Sequence, residues 1–181
     1  NYNGSWNGLT IISIAIGQGE VTATPLQIAN LSATIANRGY FITPHVVKEV
    51  EDEPLDTLYS NKRYTKVRKE HYETVVQGMR AAVTGGTCRA ANLPGLDVCG
   101  KTGTAQNRGK DHSAFMGFAP MDNPKIAVSV YVENGGWGAT YGVPIGALII
   151  EKYLNGKLSP QSEVKANDIQ MRRIDYGIHE R

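Results

Sequence analysis

The sequence predicts an α/β (α+β) fold in which an antiparallel sheet packs between helices. Three observations predict it. Two helical patterns come first, three strand patterns follow, and one more helical pattern closes the series. The last two strand patterns are joined by Met121-Asp122-Asn123-Pro124, a hairpin loop, so they run antiparallel. Residues 126–132 alternate, with Ile126, Val128, Val130 and Val132 on one face, the period of a half-buried strand.

The elements follow in chain order. A Gly- and Asn-rich opening leads into a short apolar run at 9–16 and then Gly17-Gln18-Gly19, a structural turn. The first helix starts near Pro25, whose missing N–H is harmless in a first turn, with Thr22 or Thr24 as its cap. Gln27, Asn30, Thr34 and Asn37 form its polar stripe, and Ile28, Leu31 and Ile35 face the other way. Gly39 stops it. Tyr40-Phe41-Ile42 and Val46-Val47 read as strand pieces, and Glu51-Asp52-Glu53-Pro54 as a solvated turn.

The second helix has the clearest pattern: Tyr72, Val75, Val76, Met79, Ala82 and Val83 lie on one buried face, and Gly85-Gly86 ends it. Strands are expected at 96–104, 113–119 and 126–132. Asn134-Gly135-Gly136 breaks the chain, and Gly135-Gly136-Trp137-Gly138 reads as the turn before the last helix, because it lacks the Gly-Lys-Ser/Thr ending of a phosphate loop. That helix covers 143–154, with Pro144 in its first turn and Ile145, Leu148, Ile149 and Tyr153 facing the sheet. The expected division is a folded part at 1–156 and a polar, mobile tail at 157–181.

Composition removes several function classes. A net charge of +2, with no basic cluster interleaved with aromatics, argues against nucleic acid as a partner. No apolar stretch reaches the roughly 20 residues a membrane span needs. The start at Asn1 rather than methionine points to a fragment or processed product. Cys88 and Cys99 lack paired histidines and His45, His71, His112 and His179 are scattered, so no metal site is expected. Two readings of the cysteines stand: a disulfide in an oxidising compartment, or two separate core residues.

The chemistry concentrates in Cys99-Gly100-Lys101-Thr102-Gly103-Thr104-Ala105. A strand can pair with an extended peptide through its backbone. Gly103 clears room for close approach, Thr102 and Thr104 offer hydroxyls to a terminal carboxylate, and Lys101 adds a positive charge. Lys-Thr-Gly on a strand is one of three motifs of penicillin-binding proteins and serine β-lactamases. The surrounding sequence strengthens the likeness. Gly100 to Asn107 (GKTGTAQN) resembles the third motif of class B penicillin-binding proteins. Gly17-Gln18-Gly19, Thr24-Pro25-Leu26-Gln27, Ala36-Asn37-Arg38-Gly39, residues 113–120, Asn123 to Val128 and Val132 to Gly136 resemble that family in order. The likeness covers about 10–154 and is greatest to the elongation-type subgroup, penicillin-binding protein 2.

The resemblance implies a five-stranded antiparallel sheet between helices, of which this chain holds the third to fifth strands and the last helix. It implies a D,D-transpeptidase that cross-links peptidoglycan stem peptides ending in D-Ala-D-Ala through a serine acyl-enzyme, and that β-lactams acylate. Lys101, Thr102, Gly103 and Thr104 would bind substrate. Lys101 and the Thr104 backbone N–H would be the catalytic groups, the latter as half of the oxyanion hole, a donor whose loss costs about 2.7–4 kcal/mol. No metal or organic cofactor is implied. The parent would be anchored at the periplasmic face of the inner membrane by an N-terminal segment and would work with a glycan-polymerising partner.

The nucleophile is absent. Ser162-Glu163-Val164-Lys165 has the S-x-x-K spacing but follows the Lys-Thr-Gly strand and lies in the polar tail. Ser5-Trp6-Asn7 has the S-x-N spacing but sits too close to Gly17. Asp111-His112-Ser113 cannot relay a proton, because neighbours on an extended chain point to opposite sides; His112 is a candidate for the cleft wall. The chain alone is therefore expected to be inactive, and of low stability or self-associating. The alternatives are a septal class B transpeptidase, a penicilloyl-serine sensor, a serine β-lactamase relative, or a non-catalytic stem-peptide-binding module.

Overall fold

The computed structural model describes residues 6–51 and 53–174. Its centre is a three-stranded antiparallel sheet in the order β3-β4-β5, formed by Cys99–Ala105, His112–Ala119 and Ile126–Val132. The register sets Thr102 opposite Phe115 and Phe115 opposite Val130. Directly paired residues share a face. Gly100, Thr102 and Thr104 therefore lie on one face with Phe115, Val128 and Val130, while Cys99, Lys101 and Gly103 lie on the other with Met116 and Phe118.

Each face has its own core. Phe115, Val128 and Val130 pack with Val83, Val143, Ala147 and Ile150. Cys99 and Phe118 pack with Ile35, Tyr72, Val76 and Met79. The second helix of the sequence reading, α4 (Lys69–Thr84), supplies residues to both cores from beside β3. Its Tyr72, Val76, Met79 and Val83 are buried as expected, although Val75 is exposed.

Two helix faces differ from the expectation, for one reason. In α2 (Pro25–Ala36), Leu31 is 48% exposed and Thr34 only 5%. The Ser32 hydroxyl donates to the buried Gly117 carbonyl at 2.8 Å, which turns the small side of the helix to the sheet. In α5 (Gly142–Asn155), the buried row is Val143, Gly146, Ala147 and Ile150, while Ile149 and Tyr153 are 44% and 63% exposed. Here close approach selects the small residues. A Cβ on Gly146 would collide with the Phe115 ring, one on Gly142 would come 3.0 Å from Phe115 Cβ, and a Cβ on Gly100 or Gly117 would fall 2.5 or 2.6 Å from the same ring. Phe115 is thus enclosed by glycines from three elements.

The helix starts were readable. Thr24 caps α2 through a capping box, its Oγ1 accepting from Gln27 N while its own N–H donates to Gln27 Oε1 at 2.8 Å. The apolar run is itself a helix, α1 (Gly8–Ala15), capped by Asn7. Tyr40–Phe41 forms β1 as expected and pairs with an unforeseen β2 at Arg63–Tyr64, next to the one-turn α3 (Thr57–Ser60). Val46-Val47 is not in a strand among the described residues and lies exposed. Of the expected turn at 51–54, Asp52 lies outside the described residues, and Val50 bridges to Glu53.

The expected mobile tail contains a twelve-residue helix, α6 (Pro160–Met171), and the reading from 157 onward is corrected to that extent. Its polar composition hid two anchors. The buried Glu151 carboxylate of α5 accepts from Ser159 N at 3.0 Å beside the buried Ser162. At the other end, Arg172 donates to the Thr140 carbonyl at 3.1 Å and lies over the Tyr141 ring.

Two predictions follow from this packing. Gly146→Ala should lower stability by about 1–3 kcal/mol through overpacking against Phe115, read as a fall in Tm. An unchanged Tm would mean that α5 does not close on the ring. Burial alone would raise the Glu151 pKa, but hydrogen bonds from Ser162 and Ser159 and the charge of Lys165 outweigh it and hold it below the ordinary 4.5. A depressed carboxylate stabilises the fold above its unfolded pKa, and that stability is lost as pH falls through the folded value. Proteolysis within 157–174 should therefore quicken as pH falls below the ordinary carboxylate range, and Glu151→Gln should remove that pH step.

Candidate active site

The four residues singled out by the sequence sit together on β3, which pairs with β4 on one side only among the described residues. Residues of an antiparallel strand direct their N–H and C=O to the same side. The Thr104 carbonyl accepts from Gln18 Nε2 at 3.0 Å, so it points away from β4. The Thr104 N–H therefore faces the same free edge. The Thr102 carbonyl also points there and accepts from Lys101 Nζ at 2.6 Å.

The two faces carry different chemistry. On the Lys101 and Gly103 face lies a cavity of about 570 Å³, bounded by Val21, Ile28, Met116 and Tyr131 as well as by β3. On the other face are the two threonine hydroxyls. Thr102 Oγ1 lies 2.9 Å from Thr87 Oγ1, and Thr104 Oγ1 accepts from Gly138 N at 3.4 Å. Gly138 has no alternative residue: a Cβ there would fall 2.6 Å from both the Gly103 and Ala114 carbonyl oxygens. Trp137, 73% exposed, stands next to it.

The other candidates disperse. Ser162 is buried beside Glu151 on α6, remote in role from β3. Ser5 lies outside the described residues, and Asn7 spends its side chain capping α1. Ser113 is fully buried, donating to Trp137 O at 2.8 Å and accepting from Gly142 N at 3.0 Å. His112, on the opposite face, accepts from Asn134 N through Nδ1 and packs against Tyr131, so it lies beside Ala105 near the cavity wall but forms no relay with Ser113. Sequence reasoning missed Gln18, Thr87 and Gly138 as partners of β3. Only the glycines around Gln18 and Gly138 carried a signal, that of tight turns.

Cys88 and Cys99 are both free and belong to different cores, which decides between the two readings. Among the described residues, no group of three His, Cys, Asp or Glu could hold a metal ion, and no helix is long and apolar enough to cross a membrane.

The penicillin binding protein transpeptidase domain matches residues 1–154. The chain belongs to that transpeptidase family. Among curated relatives, the peptidoglycan D,D-transpeptidase MrdA of Haemophilus influenzae is 34% identical over 95% of this chain and 30% of its own length. PbpA of Mycobacterium tuberculosis is 33% identical over 79% of this chain and 32% of its own. The chain thus spans about a third of the length of the curated relatives it matches. Among solved structures, Pseudomonas aeruginosa PBP2 in complex with WCK 5153 is 36% identical with a TM-score of 0.72, covering 87% of this chain and 36% of that one. The imipenem acyl-enzyme of M. tuberculosis penicillin-binding protein A is 32% identical with a TM-score of 0.66, covering 78% and 33%. The likeness confirms the expected fold, helices about an antiparallel sheet.

Burial raises the Cys88 thiol pKa and pushes that of Cys99 up to about 11, against the lowering effect of Thr87 on the first and of Arg80 and Arg38 on the second. Neither should react with dithiobisnitrobenzoate at pH 8 until the chain is unfolded, when two thiols should titrate. Rapid native labelling would show that one core opens.

Proposed function

We propose that the chain is the substrate-docking third of an elongation-type peptidoglycan D,D-transpeptidase. The observation that carries this reading is the edge of β3 away from β4, which the Thr104 N–H faces and where the threonine hydroxyls and Lys101 lie on either side. A stem peptide ending in D-Ala-D-Ala adds alongside β3. The Thr104 N–H meets its backbone and then serves as one donor to the oxyanion, while the Thr104 C=O stays with Gln18. Thr102 and Thr104 hold the terminal carboxylate by charge-assisted hydrogen bonds, with Lys101 adding its charge. Gly103 keeps the strand surface clear.

The nucleophilic serine belongs to the complete protein and not to these 181 residues. It attacks the D-Ala-D-Ala carbonyl, the terminal D-Ala leaves, and an amine from a neighbouring stem takes the acyl group. β-Lactams acylate the same serine. The complete protein works at the periplasmic face of the inner membrane beside a glycan-polymerising partner. The relatives' names support the reaction class, and one structural neighbour is described as a peptidoglycan synthase complex that coordinates polymerization and crosslinking. Residues 1–156 form the transpeptidase part, and 157–181 follow it.

Fluorescent penicillin followed by denaturing electrophoresis tests the reading. The complete protein should label. Lys101→Ala should slow its labelling at least about tenfold, the scale of one charge-assisted contact. The 181-residue chain alone should stay dark, and a labelled band from it would overturn the assignment of the nucleophile elsewhere.

A further inference from the structure

Each of the two threonine hydroxyls on β3 has a fixed neighbour. A backbone N–H can only donate, so the contact from Gly138 N fills an acceptor position on Thr104 Oγ1 and leaves that hydroxyl's proton for something else. Thr102 has a different neighbour, the Thr87 hydroxyl at 2.9 Å, and either oxygen can be the donor. An anion at the strand edge removes that freedom. If Thr102 donated to Thr87, it would turn a lone pair toward the anion. If Thr87 donates to Thr102, the Thr102 proton points at the anion, and each bond of the chain polarises the next.

Thr87 is well held for this task. It is exposed, but its neighbour Cys88 is fully buried. Cys88 N donates to Ala82 O at 2.9 Å and Cys88 O accepts from Ala91 N at 2.9 Å, which fixes the loop after α4. Thr102 in turn is fixed by its place in the β3-β4 ladder. Two hydroxyls from segments fifteen residues apart are thus set by packing rather than by each other, as a preorganised site requires.

We propose that Thr87 is a positioning residue for the substrate carboxylate: it donates to Thr102 and so presents the Thr102 hydroxyl as a donor. This rests on the transpeptidase reading above. The anion it serves is the terminal carboxylate of the stem peptide or the carboxylate of a β-lactam, which share one chemistry.

The test uses the complete protein and second-order acylation rates for benzylpenicillin and for its methyl ester, which has no anionic carboxylate. Thr87→Val should slow acylation by benzylpenicillin about 5- to 20-fold with Tm unchanged. Thr87→Ser should restore most of that rate. The ester should lose less than about twofold. In a Thr102→Val background, Thr87→Val should add nothing, because its effect passes through Thr102. The inference is overturned by an unchanged penicillin rate in Thr87→Val, by equal slowing of penicillin and ester, or by effects at 87 and 102 that multiply. If the wild-type protein is not acylated at all, the transpeptidase reading falls and takes this inference with it. Acylation of the wild type with no effect at Thr87 removes this inference alone.

Discussion

The enclosure of Phe115 by glycines sets the distance at which α5 can stand from the sheet. The ring projects from the central strand into the gap between sheet and α5. Gly100 on β3, Gly117 on β4 and Gly146 on α5 each leave out a side chain that the ring occupies. One aromatic therefore replaces three side chains, and the helix comes close enough for Gly142 N to reach the Ser113 hydroxyl at 3.0 Å. Because interiors are packed to crystal density, this spacing has little slack. It is also a functional spacing: Gly100 immediately precedes Lys101, and Gly142 ends the loop that carries Gly138 to Thr104.

The site inherits its division from the pleat. Alternation along β3 puts Lys101 and Gly103 on one face and Thr102 and Thr104 on the other, so charge and hydroxyls approach a ligand at the strand edge from two sides. The edge itself supplies the backbone. An open strand edge is a hazard in most proteins because it invites pairing with other chains. In the proposed function the same edge receives a substrate strand, and side chains instead of a strand occupy two of its carbonyls, Lys101 on Thr102 and Gln18 on Thr104.

What could be read from the sequence was what short-range chemistry fixes. Thr24-Pro25 with Gln27 is a local cap, Lys101 to Thr104 is a local motif, and the alternation from Ile126 to Val132 is local as well; all three have their expected place. The helix faces of α2 and α5 were read only in part: Ile35 and Ile145 pack inward as expected, but apolar size was taken as the guide where close approach favoured Ser32, Gly146 and Ala147. Helix α6 was missed because its anchors are a buried carboxylate and an arginine, which look like solvated charge in a sequence. Thr87, Gln18 and Gly138 were missed because their partners lie 15, 86 and 34 residues away, and no spacing rule links a loop hydroxyl to a distant strand.

The loop between β5 and α5 shows how such distant contacts become rigid. The Trp137 carbonyl accepts both from Ser113 Oγ and from Thr140 N, each at 2.8 Å. The Thr140 carbonyl is held by Arg172 at the end of α6, and Gly136 N donates to Asp111 O at 2.8 Å. The stretch 111–113 and Arg172, with the loop's own Thr140, thus fix one short loop before it offers a single N–H to Thr104. A hydrogen bond of 3.4 Å is weak by itself. Its value lies in the fact that the donor cannot move away, so the Thr104 hydroxyl is oriented before any ligand arrives, and the ordering is done at folding rather than at binding.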